Sequence, residues 1–320
     1  MAWTINNGSL FMNPTLYTGN GSTQSINVGF QPDFTWIKTR SGTTGTEGHR
    51  LQDAVRGSTK YLESNGTALE GTQAQGVTSF TSTGFNLGTD GSYNYNTAPI
   101  VSWNWKAGTT SGIVQGGASI TPSAYSFNQT SGFSIIKYQG TGANATVPHG
   151  LNAVPKMILF KSLANSISWI VYSSQLNISS SNCLRLNGTN AAFTESAWND
   201  TRPTTSVFSL GPHNEANNSS GETIAYCFAD VQGFSKMGSY VGNGSTNGTF
   251  IYTGFRPAFA MFKDTTSARD WAMLDNKRNT FNVMDKRLFP NNSDAENDTD
   301  ILDFTSNGIK LRSTNTSVNV

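Results

Sequence analysis

The feature that most constrains this chain is one pattern that occurs in it three times. Tyr17-Thr-Gly19-Asn-Gly21, Tyr138-Gln-Gly140-Thr-Gly142 and Tyr240-Val-Gly242-Asn-Gly244 each open a segment. A Gly with a large apolar neighbour follows (Gly29-Phe30, Gly150-Leu151, Gly254-Phe255), then a Pro, then an apolar run ending in Lys. Pro32 and Lys38, Pro155 and Lys161, and Pro257 and Lys263 are each six positions apart. Pro is tolerated at the first position of a strand because its missing N–H removes no interior ladder bond. Trp169 and Trp271 stand eight positions after their Lys, where the first copy has an insertion and reads His49-Arg50-Leu51. Asp53-Ala-Val-Arg56 matches Asp275-Asn-Lys-Arg278. Phe80-Thr-Ser-Thr-Gly84-Phe85-Asn-Leu87 matches Phe304-Thr-Ser-Asn-Gly308-Ile309-Lys-Leu311, a strand, turn and strand, of which the second copy keeps Val207-Phe-Ser-Leu210.

The repeat divides the chain into modules at 1–108, 132–232 and 233–320, with the Gly/Ser/Thr-rich stretch 109–131 as a linker. Each module is long enough for a two-sheet sandwich but not for alternating βαβ units. With 32 Gly, 19 Phe, 10 Tyr and 7 Trp and no sustained helical periodicity, the expected class is all-β, with tandem antiparallel β-sandwich modules strung like beads. Charged residues make up 13% of the chain, about half the roughly 25% of a typical soluble domain. The 33 Asn, 37 Ser and 39 Thr supply a neutral polar surface instead. Twenty-one basic against 20 acidic residues is too balanced for a nucleic-acid or anionic-membrane partner. No apolar run approaches the roughly 18 residues of a spanning helix, and Met1-Ala-Trp-Thr-Ile lacks the pattern of a secretory signal, so a soluble chain is expected. Cys183 and Cys227 are too few for a disulfide framework or a typical zinc site and read as buried thiols.

The run Gly132-Phe-Ser-Ile-Ile-Lys-Tyr-Gln-Gly-Thr-Gly-Ala-Asn-Ala-Thr-Val-Pro-His-Gly-Leu151, with Pro155-Lys-Met157 and Gly238-Ser-Tyr-Val-Gly-Asn-Gly-Ser245, resembles repeat modules of tail-fibre and other structural proteins of marine tailed bacteriophages. The resemblance spans nearly the whole chain. It implies a virion protein built of lectin-like jelly-roll sandwiches of the concanavalin A or laminin G type, extracellular and homotrimeric. Its partners would be bacterial surface polysaccharide or lipopolysaccharide and other virion proteins. It carries over no catalytic or receptor residue. The expected function is a non-enzymatic adhesin, with a structural spacer or decoration protein and a polysaccharide depolymerase as alternatives.

No nucleophile–base arrangement is legible around His49, His149 or His213, which read as solvated turn residues. Glycoside cleavage needs two facing carboxylates, for which the first module offers Asp53, Glu63, Glu70 and Asp90, none in an aromatic-rich run. Trp103 and Trp105 share one face of their strand: exposed, that face would stack on a sugar ring, and buried, it is core. Trp36, Trp169 and Trp271 read as core packing, and the two Asp-x-x-Arg pairs as turn braces. The acidic stretch with Asp294, Glu296, Asp298 and Asp300 offers oxygen ligands to calcium, although it lacks the Gly and the bidentate Glu of an EF-hand loop; Glu215, Asn217 and Asn218 form a weaker second set. No other cofactor is implied.

Copies one and two close with Ile100-Val-Ser-Trp103-Asn-Trp105 and Thr223-Ile-Ala-Tyr226-Cys-Phe228, but nine residues remain after Leu311 and none repeats that strand. The third module is then open and frayed, or Val318-Asn-Val320 is a stub of the strand, or another segment fills the slot by strand addition. Met1-Ala-Trp3-Thr-Ile5, with the alternation of a short strand, is the best donor within the chain.

Overall fold

The computed structural model describes residues 5–41 and 47–320 and is all-β, with antiparallel sheets and two single-turn helices. In the first module an inner sheet runs in the order Met12–Thr18, Pro99–Trp105, Phe34–Thr39, Arg50–Asp53, and an outer sheet runs Gln24–Asn27, Gly84–Leu87, Val77–Thr81. The second module repeats this with Phe133–Gln139, Glu222–Ala229, Pro155–Ser162 and Ile170–Ser173 inside and Ala145–Pro148 with Val207–Leu210 outside. Its inner sheet is extended at one edge by Ala124–Asn128, which lies within the stretch read as a linker. In the third module, among the described residues, Phe259–Phe262 and Ala272–Asp275 form the inner pair, beneath an outer sheet of Phe250–Tyr252, Gly308–Leu311, Asn297–Thr305 and Met284–Arg287. Residues 1–4 of the candidate donor Met1–Ile5 lie outside the described residues. Among the described residues no helix is long and apolar enough to cross a membrane.

Side chains alternate across a strand, and here both faces of each inner sheet are covered. Ile37 and Ile100 face the outer sheet of the first module with Phe85 and Leu87; Ile158, Phe160 and Cys227 do so in the second, and Ala272 and Leu274 in the third. The opposite faces meet in one central core that combines Phe34, Trp36, Trp103 and Trp105 with Phe133, Leu159, Trp169 and Tyr226 and with Trp271, Met273 and Leu288. The beads-on-a-string arrangement is therefore wrong: the modules share a core, because a sheet with two apolar faces needs a second cover that its own sandwich cannot give.

The repeated Tyr-x-Gly-x-Gly has a local cause. Asn94, Asn217 and Asn319 are fully buried, and their side-chain oxygens accept from Asn20, Thr141 and Asn243, the residue between the two glycines, at 2.9, 2.7 and 2.8 Å. Their amides donate to Gly88, Gly211 and Ser313 carbonyls at 2.8, 2.9 and 2.7 Å. The first glycine, Gly19, Gly140 or Gly242, lies so close to the carbonyl after that Asn that a Cβ would collide with it. The tyrosine hydroxyls donate to Tyr93, Ala216 and Val318 carbonyls at 2.8, 2.6 and 2.5 Å. Val318 and Asn319 thus belong to the third copy of this anchor and are not a stub of the closing strand.

Cys183 and Cys227 are free and buried, and burial pushes both thiols up to about 12. Neither should react with a thiol reagent at pH 8 in the folded chain, and both should in denaturant; rapid labelling without denaturant would contradict this packing.

Candidate functional site

The seams between modules concentrate the buried polar chemistry, and they repeat cyclically. The ring nitrogens of Trp169, Trp271 and His49 bond the carbonyls of Glu63, Arg185 and Phe289 at 2.8, 2.9 and 2.9 Å, running from module two to one, three to two and one to three. The three repeated lysines follow the same circuit: Lys161 donates to Thr67, Lys263 to Thr189 and Lys38 to Ser293, at 3.2, 3.0 and 3.1 Å. Each ammonium also donates to carbonyls of its own module, such as Ile167, Arg269 and Glu47, so its three donors are used. Backbone N–H groups of Glu70, Ala192 and Glu296 complete the circuit on Leu163, Thr265 and Arg40 carbonyls at 3.2, 2.9 and 2.8 Å. The three copies therefore form a closed ring with approximate threefold symmetry.

A further seam contact comes from the closing strands. Tyr226 donates its hydroxyl to Asp53 at 2.6 Å and Trp103 its indole N–H to Asp275 at 3.0 Å. Asp53 and Asp275 are themselves paired with Arg56 and Arg278 at 2.5 and 2.6 Å, all four side chains being buried. The Asp-x-x-Arg motif thus braces its own turn and the next module at once. At the third seam Ser173 holds the position of the aspartate, since Val171 pairs with Leu184 as Leu51 does with Leu62 and Met273 with Leu288.

Trp103 is 0% and Trp105 8% exposed. They share a face, as the spacing predicts, but it is turned into the central core: the Arg278 guanidinium lies 5.4 Å from the Trp103 ring centre, and Phe259 packs edge-on against both tryptophans. A sugar-stacking platform there is excluded because neighbouring modules occupy the face.

Of the four carboxylates considered for calcium, two are taken up by ion pairs. Glu296 accepts from Arg40 and, at 3.0 Å, from Arg278, and Asp298 is paired with Lys286 at 2.6 Å. Asp294 sits exposed in a turn, and the side chain of Asp300 lies outside the described residues. Glu215 is paired with Arg185 and Asn217 is the buried anchor, which removes the second set as well. Among the described residues no group of three His, Cys, Asp or Glu is placed to hold a metal. The carboxylates considered for glycoside cleavage are also engaged: Glu63 pairs with Arg50, and Asp90 caps the helix Gly91–Asn94.

Two of the three histidines are buried rather than solvated. His49 accepts from the Trp36 indole at 2.8 Å through Nδ1, which leaves its proton on Nε2 for the Phe289 carbonyl. Burial, with Lys38 and Arg278 nearby, holds it well below the usual imidazole range. His149 bonds the Thr204 carbonyl, and burial lowers it to about 4.

A cleft of about 370 Å³ opens at the seam of modules one and two, lined by Arg56, Lys60, Glu70, Lys137, Leu163 and Glu222. Lys137 and Glu222, on adjacent strands of module two, pair at 3.0 Å, and Lys60 approaches Glu70 at 3.7 Å on the side of module one. Burial alone would raise the Glu222 carboxyl, but the Ser123 hydroxyl at 2.6 Å and the Lys137 ammonium hold it below the usual carboxylate range. Ser123 also lines a second cleft, beside Ala54, Val55 and Tyr125, so the two flank the Asp53–Arg56 turn. Sequence reasoning missed Lys137 and Glu222, which come together only by strand pairing across 85 residues.

Residues 7–320 match a family model described as a domain of unknown function, DUF7483. The chain belongs to that family. Searches of the curated proteins and of the solved structures gave no match.

Proposed function

We propose that the protein is a tail-fibre-type virion adhesin that binds bacterial surface polysaccharide or lipopolysaccharide without cleaving it, and that the seam of modules one and two is its contact surface. The observation that carries this reading is the open cleft with its fixed Lys137–Glu222 pair and the adjoining Ser123 hydroxyl. Ammonium, carboxylate and hydroxyl groups held at set positions are the donors and acceptors that sugar hydroxyls need. Shallow single sites of this kind give weak binding that linked copies strengthen. Cleavage would require a carboxylic acid kept protonated near neutral pH; Glu222 is shifted the other way.

Titration calorimetry with host polysaccharide tests the reading. Lys137→Ala and Glu222→Ala should each weaken binding about tenfold, the effect of losing a charge-assisted hydrogen bond. Unchanged affinity in both variants would move the contact elsewhere, and new reducing ends would make the protein a depolymerase. The ring of mutually buried modules also suits a rigid spacer, and absence of binding to host cells at any assembly state would favour that function. In the adhesin reading avidity comes from a homotrimer joined through the outer faces of the rings, so light scattering should give three times the 34.4 kDa chain mass.

A further inference from the structure

The three seams share one backbone contact but differ in the side chains around it. The N–H groups of Glu70, Ala192 and Glu296 donate to the carbonyls of Leu163, Thr265 and Arg40, each of which stands two positions after its repeated lysine. Where modules three and one meet, both partners are charged. Arg40 donates to Glu296 through Nε at 2.9 Å and through Nη2 at 2.6 Å, and Arg278 adds a third bond at 3.0 Å. This two-point guanidinium–carboxylate contact leaves the Glu296 side chain 8% exposed. Where modules two and three meet, Ala192 and Thr265 hold the same places, so a seam closes without an ion pair.

The seam of modules one and two keeps the acid but has Leu163 in the place of Arg40. Arg56, the counterpart of Arg278, reaches Glu70 at 3.4 Å, and its guanidinium is already held by Asp53 at 2.5 Å and the Leu51 carbonyl at 2.9 Å. Lys60 stands 3.7 Å from Glu70, beyond hydrogen-bond distance, with its ammonium on the Thr72 hydroxyl at 2.8 Å. The Glu70 side chain is 18% exposed, and both it and Leu163 line the cleft of about 370 Å³. Two homologous carboxylates therefore stand at homologous seams, one saturated by an arginine from the facing module and one turned to an open cleft.

We propose that this cleft seats a cation of the ligand, the ammonium group of an unacetylated amino sugar, which takes on Glu70 the place that the Arg40 guanidinium takes on Glu296. The choice of a sugar rests on the adhesin reading of the same cleft; the seat itself rests on the comparison of the seams. Charge-assisted bonds to a carboxylate are roughly twice as strong as neutral ones, so the ammonium is distinguished from the acetamido group that replaces it in an N-acetylated sugar. Lys60, Lys137 and Glu222 around the seat supply donors and an acceptor for ring hydroxyls. A lone arginine from a protein partner would answer Glu70 and leave those groups without a use.

Nuclear magnetic resonance titrations of the full chain with methyl glucosaminide, its amine protonated, and with its N-acetyl derivative test the proposal. The amine should bind at least about tenfold more tightly, shifting the Glu70 amide and the Leu163 methyls, and Glu70→Gln should remove the difference. Leu163→Arg, which copies the Arg40 contact into this seam, should abolish binding of the amine. Equal affinities for the two sugars, a preference that survives in Glu70→Gln, or the absence of shifts at Glu70 and Leu163 with methylguanidinium, which mimics the tip of Arg40, would overturn the seat. Shifts with methylguanidinium but with neither sugar would overturn the sugar and assign the seat to an arginine of a protein partner. Host polysaccharide separates this proposal from the reading beneath it. Binding that is unchanged when the polymer is N-acetylated would sink the amino-sugar seat and leave the adhesin standing, whereas an amino sugar that binds while the polymer does not would do the reverse.

Discussion

Replacing Asp275 by alanine is expected to destabilise the protein by about 3–5 kcal/mol, the cost of leaving a buried charge without its partner. Asp275 accepts from the Arg278 backbone and side chain and from the Trp103 indole, and it is 1% exposed. Burial alone would raise this carboxyl, but the Arg278 guanidinium outweighs it and holds the group below its ordinary range. In the variant Arg278 keeps Glu296 at 3.0 Å and the Met273 carbonyl at 2.9 Å but loses its nearest counter-charge, and the Trp103 N–H faces no acceptor. Asp53→Ala should behave alike, because Arg56 and Tyr226 stand in the same relation to it. The form of the loss matters as much as its size. In a ring closed by three seams around one core, the module boundaries are not boundaries of stability, so either variant should lower a single cooperative transition. Calorimetry that resolves a separate early transition for one module, with the remainder unmoved, would show that the shared core does not couple the units.

Much of this fold is legible in the sequence, and the reason lies in the repeat. The six-residue spacing from Pro to Lys marks the same inner strand three times, and the strand-turn-strand ending at Leu87, Leu210 or Leu311 marks part of the outer sheet. The closed ring was present in a weaker form. Runs such as Ile100-Val-Ser-Trp103-Asn-Trp105 and Met157-Ile-Leu-Phe160 are apolar on both faces, which a half-solvated antiparallel strand is not. Reading that run as one sandwich core put the second face in the wrong place and left Trp103 and Trp105 as candidates for a sugar. The lysines at 38, 161 and 263 carried a second signal. A charge ending the same apolar run three times points to a caged ammonium, yet its cage is made of backbone carbonyls, which no side-chain pattern announces. Asn94, Asn217 and Asn319 follow their leucines by seven, seven and eight residues, a spacing hidden among 33 asparagines. The cleft was the least legible, because Lys137 and Glu222 meet only through the pairing of Phe133–Gln139 with Glu222–Ala229.

The buried histidines make the ring acid-labile well above the pH at which its carboxylates titrate. An imidazole in the unfolded chain takes up a proton near pH 6.5. Burial holds His149 at about 4 and His49 well below its ordinary value, so below about pH 6.5 the unfolded state binds protons that the folded state refuses. Stability therefore falls as pH falls through this window. His149 contributes roughly 2 kcal/mol of loss by pH 5 and roughly 3 kcal/mol by pH 4, and His49 adds a loss of the same sign. The local groups reinforce the sign at His49: Trp36 already donates to Nδ1, so a second ring proton would break that bond, and the Lys38 and Arg278 cations oppose a further positive charge. The depressed carboxylates Asp275, Asp264 and Glu222 add to the loss only as pH drops toward their own lower values. Asp33, raised by burial, works in the opposite direction there, since the folded state takes up its proton first. Urea unfolding at pH 7.5, 6.5, 5.5 and 5.0 should show a free energy that declines steadily from about pH 6.5. His149→Gln, which retains a hydrogen-bonding side chain without a titrating ring, should remove roughly 2 kcal/mol of that decline by pH 5 whatever its effect on stability at pH 7.5. A free energy that stays level from pH 7.5 to 5.0 in the unmodified chain would mean that His49 and His149 are protonated as readily folded as unfolded, which their hydrogen bonds to Trp36, Leu151 and the Thr204 and Phe289 carbonyls do not allow.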